Sequence, residues 1–468
     1  MNAPLRDIPP VHRLTTDPAV SAYEGLLGRA NVRVAVQAVL DRAREGAAKG
    51  AEIPPFERLR GEVLERLADD RRADLISVVN GTGVLLHTNF GRAPLAANAL
   101  ANAVQLGGGY TNLEFDLAEG KRGSRYDRVS LQLCELSGAQ GALVVNNCAA
   151  AVLLVLDTFA RDRDVVVSRG QLIEIGGGFR LPDVLRRSGA RLVEVGTTNK
   201  TYARDFREAW SERTAMFMRS HPSNYRIEGF TAEVDAKTLA ALAKELDVIA
   251  FEDLGSGAFV DLEQFGIAHE PTVAEEIATG MDLVAVSGDK LLGGPQCGII
   301  CGNTEHIETL KRNPLVRALR VDKLTLAALS GTLALYLEPS RLLEIPLFAM
   351  LHAGVAELRE RAGRICAALA DAGSGGAIRI APCETVATTG GGTLPLASIP
   401  SAGISISSSD RSADEIAASL RSASPPVIGR TEDTAVRIDL RSVLPGQDAE
   451  LIEVLRSLTI ETKPQGGR

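Results

Sequence analysis

The sequence is poor in aromatic residues and contains no long hydrophobic run. Aromatic side chains make up 4% of the 468 residues and include a single tryptophan, so the stacking platforms that bind single-stranded nucleic acids are scarce. The longest apolar run, residues 148–156, has nine members, about half of the ~18 that a membrane-spanning helix needs. We therefore expect no membrane span.

Basic residues are not in excess either. The chain has 51 lysines and arginines against 59 aspartates and glutamates, a net charge of −8, which argues against a protein that coats nucleic acid with global positive charge. The six cysteines form no C-x-x-C pair and have no histidine cluster beside them, so we expect no metal site. Prolines and charges stand where a secretion signal needs an apolar stretch, and we therefore expect a cytoplasmic protein.

The first 75 residues differ from the rest of the chain. Their apolar residues recur at helical spacing, and the first 60 carry nine basic and seven acidic residues, a balance of +2 against −10 for the remainder. This sign is typical of a module that faces phosphates, although a solvated helical face gives the same balance. We predict a helical N-terminal domain over residues 1–75.

From about residue 140, short runs rich in valine and isoleucine alternate with amphipathic stretches. That alternation predicts an α/β fold with a mainly parallel sheet covered by helices, and functional residues beyond the carboxyl ends of its strands. After about residue 335 we expect a long helix over 347–370, short strands, a polar loop at 405–409 and a closing helix near 451–458. The predicted domains are therefore a large one over 76–335 and a smaller α+β domain over 336–468.

Three short motifs carry the chemistry. Lys290 follows a predicted strand within SGDKLLGGP, where burial would lower its pKa as Schiff-base chemistry requires. Asp253, in FEDLGSG, ends another strand and can pair with a protonated ring nitrogen. Asn147 and Cys148 stand where a strand meets a helix of small residues whose N–H groups suit a phosphate, and Ser287 can add a hydroxyl. Together these features are typical of a pyridoxal-phosphate enzyme of the aspartate-aminotransferase fold type.

Longer motifs around these residues resemble the bacterial selenocysteine synthases, which are L-seryl-tRNA(Sec) selenium transferases. The motifs are NGTGVLLHTNFGRAPL (80–95), YTNLEFDLAEGKRGSRYDRV (110–129), FEDLGSG (251–257) and SGDKLLGGPQCGIICG (287–302). The sequence similarity to this family runs from about residue 75 to 330. The segment IPPVHRL at 8–14, together with the helical module, resembles that family's tRNA-binding domain. Cys148 is a departure, because the family more often has asparagine there.

The resemblance implies a fold type I pyridoxal 5'-phosphate enzyme that converts L-seryl-tRNA(Sec) to selenocysteinyl-tRNA(Sec). β-Elimination would give aminoacrylyl-tRNA, to which selenium from selenophosphate would add. Lys290 would hold the cofactor, Asp289 would assist cleavage of the selenium–phosphorus bond, and Arg92, Arg317 and Arg320 would bind selenophosphate, the last two from one face of a helix because their spacing is i, i+3. The resemblance also implies a homo-oligomer, a decameric ring of dimers with active sites between subunits.

Other functions stay open from the sequence. A pyridoxal-dependent ammonia-lyase or β-eliminase acting on a free small amino or sugar acid would share the core motifs, and Arg430, Arg437 and Arg441 could clamp its carboxylate. A third alternative is a non-catalytic tRNA-binding scaffold that retains a vestigial pyridoxal fold and forms no aldimine at Lys290. We expect His87 to be a core histidine satisfied by the backbone, and His221 to lie in a loop near the cofactor.

Overall fold

A computed structural model describes residues 8–72, 75–175, 178–369, 377–395 and 397–460. The chain divides into two compact units, Met1–Ser77 and Val78–Arg468. Of the predicted N-terminal domain, residues 1–7 and 73–74 lie outside the described residues. No helix in the described ranges is both long enough and apolar enough to cross a membrane.

The described part of the first unit is helical, as the spacing of its apolar residues predicts. Val32, Val36 and Leu40 are buried on one helix and pack in a common core with Leu59 and Val63 of another. This apolar stripe holds the helices together, and Nε of Arg60 adds an ion pair with Asp17 at 2.9 Å. The helices are α1 (Val11–Thr15), α2 (Pro18–Ser21), α3 (Glu24–Leu27), α4 (Arg29–Ala48) and α5 (Phe56–Arg72).

The second unit contains seventeen strands in the ranges that the structure describes. They are β1 (Val79–Asn80), β2 (Phe115–Asp116), β3 (Lys121–Arg122), β4 (Gly141–Val145), β5 (Asp164–Ser168), β6 (Glu174–Ile175), β7 (Phe179–Arg180), β8 (Arg191–Val195), β9 (Thr214–Ser220), β10 (Ile249–Gly255), β11 (Leu283–Ser287), β12 (Gly298–Gly302), β13 (Ile378–Ala387), β14 (Ile399–Ser408), β15 (Val427–Ile428), β16 (Arg430–Glu432) and β17 (Ala435–Asp439).

The helices of this unit cover its sheets. They are α6 (Ala97–Gly107), α7 (Asp127–Ser137), α8 (Cys148–Phe159), α9 (Leu181–Ser188), α10 (Ala203–Ala209), α11 (Ala236–Glu245), α12 (Val273–Ala278), α13 (Thr304–Arg312), α14 (Leu315–Leu319), α15 (Lys323–Tyr336), α16 (Pro346–His352), α17 (Val355–Leu369), α18 (Ala413–Ser422) and α19 (Asp448–Ile460).

The large sheet is mainly parallel, as predicted. Its seven strands lie in the order β4-β12-β11-β10-β9-β5-β8, and only β12 runs antiparallel to its neighbours. Strands such as β5 and β11 are buried along their whole length, because helices cover both faces of a parallel sheet. The carboxyl ends of the six parallel strands therefore meet at one edge.

The later part of the chain builds a second sheet. Strands β13, β14, β17 and β16 form an antiparallel sheet in that order, with its own hydrophobic core against α17, α18 and α19. Residues 405–409 are not a polar loop as the sequence suggested, because residues up to Ser408 belong to β14. Its isoleucines at 404 and 406 alternate with serines and are buried, which is strand periodicity.

The single long helix expected over 347–370 is also wrong. Helix α16 ends at His352 and α17 begins at Val355. The guanidinium of Arg441 donates to the carbonyl oxygens of Met350 and Ala353, each at 2.7 Å. An arginine thus satisfies carbonyls at the end of α16, which lets the helix stop there.

Candidate active site

Seven of the predicted residues line one pocket at the carboxyl edge of the large sheet. The pocket has a volume of about 240 Å³, near the ~300 Å³ lower end for small-molecule sites. Parallel strands bring their carboxyl ends together, so residues more than 100 positions apart in sequence meet here. The seven are Arg92, Asn147, Cys148, Asp253, Ser287, Asp289 and Lys290.

Lys290 is a buried amine without a hydrogen-bond partner in the described part of the chain. It follows β11 directly and is 4% exposed. Burial lowers the pKa of its ammonium group, because leaving water disfavours the charged form. A neutral amine at this position is a nucleophile and a base.

Asp253 lies in β10 and is also buried, at 6% exposed. Burial raises the pKa of its carboxyl group to about 6, against the opposing effect of Lys290. The Sγ of Cys148 lies 3.5 Å from Oδ1 of Asp253. Burial and the Asp253 charge raise the pKa of the Cys148 thiol well above its usual value. The thiol therefore stays protonated and donates a hydrogen bond to the carboxylate.

The N-terminus of α8 supplies a phosphate cradle. Asn147 caps the helix by accepting a hydrogen bond from the N–H of Ala150 at 2.9 Å. The N–H groups of Cys148 and Ala149 have no acceptor among the described residues, and both residues line the pocket. A Cβ on Gly298 of β12 would stand 2.1 Å from the carbonyl oxygen of Asn147, so this strand needs glycine to approach the cradle.

These residues fit the pyridoxal 5'-phosphate that the sequence predicts. Buried Lys290, whose pKa is lowered, suits the aldehyde carbon, and the buried acid Asp253 suits a protonated ring nitrogen. The free N–H groups at the start of α8 suit the phosphate, since a helix N-terminus carries partial positive charge. Ser287, buried at the end of β11, lies in the same pocket.

Arg92 and Asp289 form an ion pair in this pocket. Nη1 of Arg92 lies 2.8 Å from Oδ2 of Asp289, and the N–H of Ala93 donates to the carbonyl oxygen of Asp289 at 3.3 Å. Arg92 has a φ of +63°, a left-handed conformation that costs a residue with a side chain about 1–3 kcal/mol. The surrounding contacts therefore hold Arg92 against its own backbone preference.

Arg317 and Arg320 do not line the Lys290 pocket. They lie at another pocket, of about 350 Å³, together with Arg122 and Arg125. The expectation that both sit on one helix face is wrong, because α14 ends at Leu319 and Arg320 follows it with extended backbone. Arg320 bridges instead to Val145 at the end of β4, and its guanidinium lies 3.5 Å from Glu114.

The two histidines have different surroundings. The N–H of His221 donates to the carbonyl oxygen of Asp253 at 3.0 Å, and its Nε2 lies 3.3 Å from Glu270. Burial lowers the pKa of His221, but Glu270 and Glu252 together raise it by more, so the pKa lies above its usual value. His87 stacks on Phe90 with ring centroids 3.9 Å apart. Its buried Nδ1 has no partner in the described ranges, so the expected backbone hydrogen bond is wrong.

Sequence reasoning missed two features of this region. A buried charge cluster lies beside Asp253, in which Nη1 of Arg219 is 3.0 Å from Glu252 and 3.5 Å from Glu276. Burial raises the pKa of Glu252 to about 7, although Arg219 opposes this. The visible signal was a charged residue inside each of two apolar strands. The second missed feature is a run of three glycines, residues 390–392, whose last member lies close to Lys290.

Residues 78–444 match the family described as SelA: L-seryl-tRNA selenium transferase. The chain is 46% identical over 456 residues to the L-seryl-tRNA(Sec) selenium transferase of Moorella thermoacetica, covering 96% of each chain. It is 44% identical over 462 residues to that of Hyphomonas neptunium, covering 97% of this chain and 99% of the relative. Both relatives extend along nearly the full length of the chain.

Among solved structures, a D-glucosaminate-6-phosphate ammonia-lyase has the same fold. It superposes with a TM-score of 0.57 at 16% identity, covering 84% of this chain and 98% of its own. At that identity the likeness concerns the fold alone. The predicted fold class, the α/β fold of type I pyridoxal-phosphate enzymes with a mainly parallel sheet, is confirmed.

Proposed function

Because the chain belongs to the L-seryl-tRNA selenium transferase family, we propose that it converts L-seryl-tRNA(Sec) to selenocysteinyl-tRNA(Sec) with pyridoxal 5'-phosphate as cofactor. The observation that carries this conclusion is the joining of Lys290, Asp253 and the α8 cradle in one pocket. Relatives with this activity align along nearly the whole chain. They favour this function over that of an ammonia-lyase acting on a free small acid.

The chain's residues divide the first half of the reaction between them. Pyridoxal phosphate, when bound, takes up the electron pair left at the substrate Cα after its proton departs. Lys290 Nζ, whose pKa burial lowers, accepts that proton. The same Nζ then donates a proton to the leaving β-hydroxyl, which departs as water. The negative charge of Asp253 would stabilise the protonated ring nitrogen throughout.

Selenophosphate is the selenium donor in this proposal, and arginines are the residues that suit it. A multiply charged anion needs several guanidinium donors to compensate for its lost hydration. Arg92 lies in the Lys290 pocket, and Arg317 and Arg320 lie at the basic pocket with Arg122 and Arg125. Asp289, held by Arg92, is proposed to assist cleavage of the selenium–phosphorus bond.

Single alanine variants of Arg92, Arg317 and Arg320 test this division of labour. Loss of water from the seryl group creates no phosphate-like anion, so each variant should still dehydrate seryl-tRNA(Sec). Each should then fail when selenophosphate is supplied, with at least a tenfold lower yield of selenocysteinyl-tRNA. If a variant lost the dehydration step, its arginine would not be a donor-binding residue.

We also propose that the protein is a homo-oligomer, in the form of the predicted decameric ring of dimers. A cytoplasmic location, where aminoacylated tRNA is available, is proposed as well. Large apolar side chains that are exposed in one chain support association, because burial against another subunit would remove their apolar surface from water. They include Leu100, Val104, Leu117 and Leu131. The mass of the protein in solution tests this part.

A further inference from the structure

The 390–392 glycine segment lies over the reactive lysine. It is held in place by the neighbouring chain, since the N–H groups of Leu85 and Leu86 donate to the carbonyl oxygens of Thr388 and Thr389 at 3.0 and 2.8 Å. The Thr389 hydroxyl closes the turn by donating to the carbonyl oxygen of Thr393 at 2.7 Å. The segment is therefore a fixed wall of the site.

The three glycines serve different purposes. A Cβ on Gly390 would stand 2.2 Å from Val84, and one on Gly391 would stand 2.8 Å from the carbonyl oxygen of Leu86, so packing requires glycine at both positions. A Cβ on Gly392 would meet only Asn224 at 3.6 Å and the Nζ of Lys290 at 3.9 Å, which are ordinary contacts. Packing does not require that space to be empty, although the φ of +75° at Gly392 itself favours glycine. The space lies within 4 Å of the reactive amine.

Polar groups around this space lack partners. Lys290 is 4% exposed, and its side-chain amine has no hydrogen bond in the part of the chain that the structure describes. Within the same ranges, the backbone N–H groups of Gly391 and Gly392 have no acceptor, and the buried Oδ1 of Asn224 has no donor. Gly391 and Gly392 are half-buried, and a buried, unpaired oxygen such as Oδ1 of Asn224 is costly. These groups therefore suit a polar ligand that supplies both an acceptor and a donor.

Among the described residues, no unpaired arginine lines this region to receive a carboxylate, and Arg226, at the pocket beside His221, pairs with Glu228 at 3.5 Å. Arg441 is 3% exposed and donates to four backbone carbonyl oxygens. Arg430 and Arg437 both pair with Glu432, at 3.5 and 3.0 Å. None of these three residues lines the Lys290 pocket or the larger one beside His221. In the Lys290 pocket, Arg92 is already paired with Asp289.

We propose that the space walled by the 390–392 segment and Asn224 receives the acyl group of the substrate as an uncharged ester. The free N–H groups of Gly391 and Gly392 donate to the ester carbonyl oxygen, and Asn224 accepts from the seryl hydroxyl. Gly392 is then a specificity-determining residue, since a side chain there would fill the acyl space. This inference rests on the proposed function, because an aminoacyl-tRNA presents its amino acid as such an ester.

The test uses the full-length holoenzyme and two small probes, serine methyl ester and free serine. Half-saturating concentrations are read from the change in visible absorbance of the bound cofactor. For the natural protein we expect the ester to saturate at a concentration at least tenfold lower than free serine. Gly392→Ala should raise the value for the ester at least tenfold, while borohydride still traps the cofactor on Lys290.

Gly138→Ala is the matched control. Gly138 has a φ of +70°, close to the +75° of Gly392, and no heavy atom within 4 Å of its absent Cβ. It caps α7 just before β4 begins, at the sheet edge opposite the pocket. This variant should bind both probes normally, because it carries the same backbone strain without entering the site.

The inference would be overturned by equal or tighter binding of free serine, by unchanged ester binding by Gly392→Ala, or by an equal loss in both glycine variants. Loss of the cofactor from Gly392→Ala would also overturn it, since the segment would then support the cofactor and not the acyl group. Turnover of seryl-tRNA(Sec) by the natural protein is measured separately. If the protein turns over seryl-tRNA(Sec) but does not prefer the ester, only this inference is contradicted. If it prefers the ester but does not turn over seryl-tRNA(Sec), the proposed function is contradicted.

Discussion

Asp253 is a buried acid that the fold keeps beside a buried lysine. Its carboxyl has a pKa of about 6 against an ordinary 3.8, chiefly because burial disfavours its charge. The folded protein therefore binds more protons than the unfolded chain between about pH 4 and pH 6. A raised pKa of this kind stabilises the fold at low pH, and that stability is lost as the pH rises through 6. The ring nitrogen of the cofactor is the charge that would offset this cost.

Asp253→Asn should thus stabilise the cofactor-free protein at neutral pH. A shift of about two pKa units corresponds to roughly 3 kcal/mol, so the variant should unfold at a clearly higher temperature than the natural protein at pH 7.5. The advantage should vanish by about pH 3, below the ordinary pKa of 3.8, where Asp253 is protonated in both states. Thermal unfolding of both proteins across this pH range is the measurement. Equal unfolding temperatures of the two proteins at pH 7.5 would contradict the interpretation that Asp253 is a buried, charged carboxylate.

Individual residues of the site were predictable only where chemistry marked them. Lys290 and Asp253 follow apolar strands in glycine-rich sequence, and parallel strands end at a common edge. The pairing of Cys148 with Asp253 was not predictable, because it depends on the rotamers of two side chains 105 positions apart. The same holds for Gly392, which reaches Lys290 through a connection that no local pattern reveals.

Strand β12 shapes the cradle through one glycine. Gly298 pairs with Val145 and Ser287 at the carboxyl ends of β4 and β11, so it lies at the edge where the pocket forms. At the other end of β12, Gly302 faces an equal constraint, since its Cβ would stand 2.1 Å from the carbonyl oxygen of Asp282. Alanine at either glycine of β12 would therefore clash with a backbone carbonyl oxygen, but only Gly298 lies at the site.

Gly298→Ala should weaken cofactor binding, and Gly302→Ala should not. The first must displace Asn147 and with it the free N–H groups that hold the phosphate, so we expect its dissociation constant for pyridoxal phosphate to rise tenfold or more. The second should lower the unfolding temperature to a similar extent but bind the cofactor normally. Titration of the two cofactor-free proteins with pyridoxal phosphate distinguishes them. Equal affinities would mean that the cradle does not hold the phosphate.

Regular elements were predictable because burial imposes periodicity. Strands β5 and β8 coincide with two of the short apolar runs after residue 140, DVVVS at 164–168 and RLVEV at 191–195. The break between α16 and α17 escaped prediction, since Arg441 lies some 90 positions from the carbonyls that it satisfies. Strand β14 was missed because serines occupy every second position, although its isoleucines alternate as a strand requires.

At the scale of the whole molecule, the first unit is the proposed tRNA-binding part. Residues 1–75 stay a predicted domain with that role, as do the predicted boundaries at 76–335 and 336–468. In α4 and the residue that follows it, Arg33, Arg42 and Lys49 are exposed and have no ion-pair partner among the described residues. Unpaired basic residues are the ones free to contact phosphates, and such contacts dominate affinity for nucleic acid.

Replacing Arg33, Arg42 and Lys49 together by glutamine should weaken tRNA binding. Each phosphate contact adds about 0.7–0.9 to the slope of log affinity against log salt, so the slope should fall by about 2–3. A full-length control carries the same substitution at three exposed arginines of the second unit, Arg187, Arg364 and Arg421. If both proteins bound tRNA with the natural salt dependence, the first unit would not be the binding part.

We expect Lys290 to convert an amino acid while that amino acid is esterified to tRNA. The direct measurement supplies the purified holoenzyme with selenophosphate and either seryl-tRNA(Sec) or free serine, and identifies the amino acid formed. We predict selenocysteine on the tRNA and no detectable product from free serine, with all activity lost in Lys290→Ala. Selenocysteine formed from free serine at a comparable rate, or transfer retained by Lys290→Ala, would contradict the account.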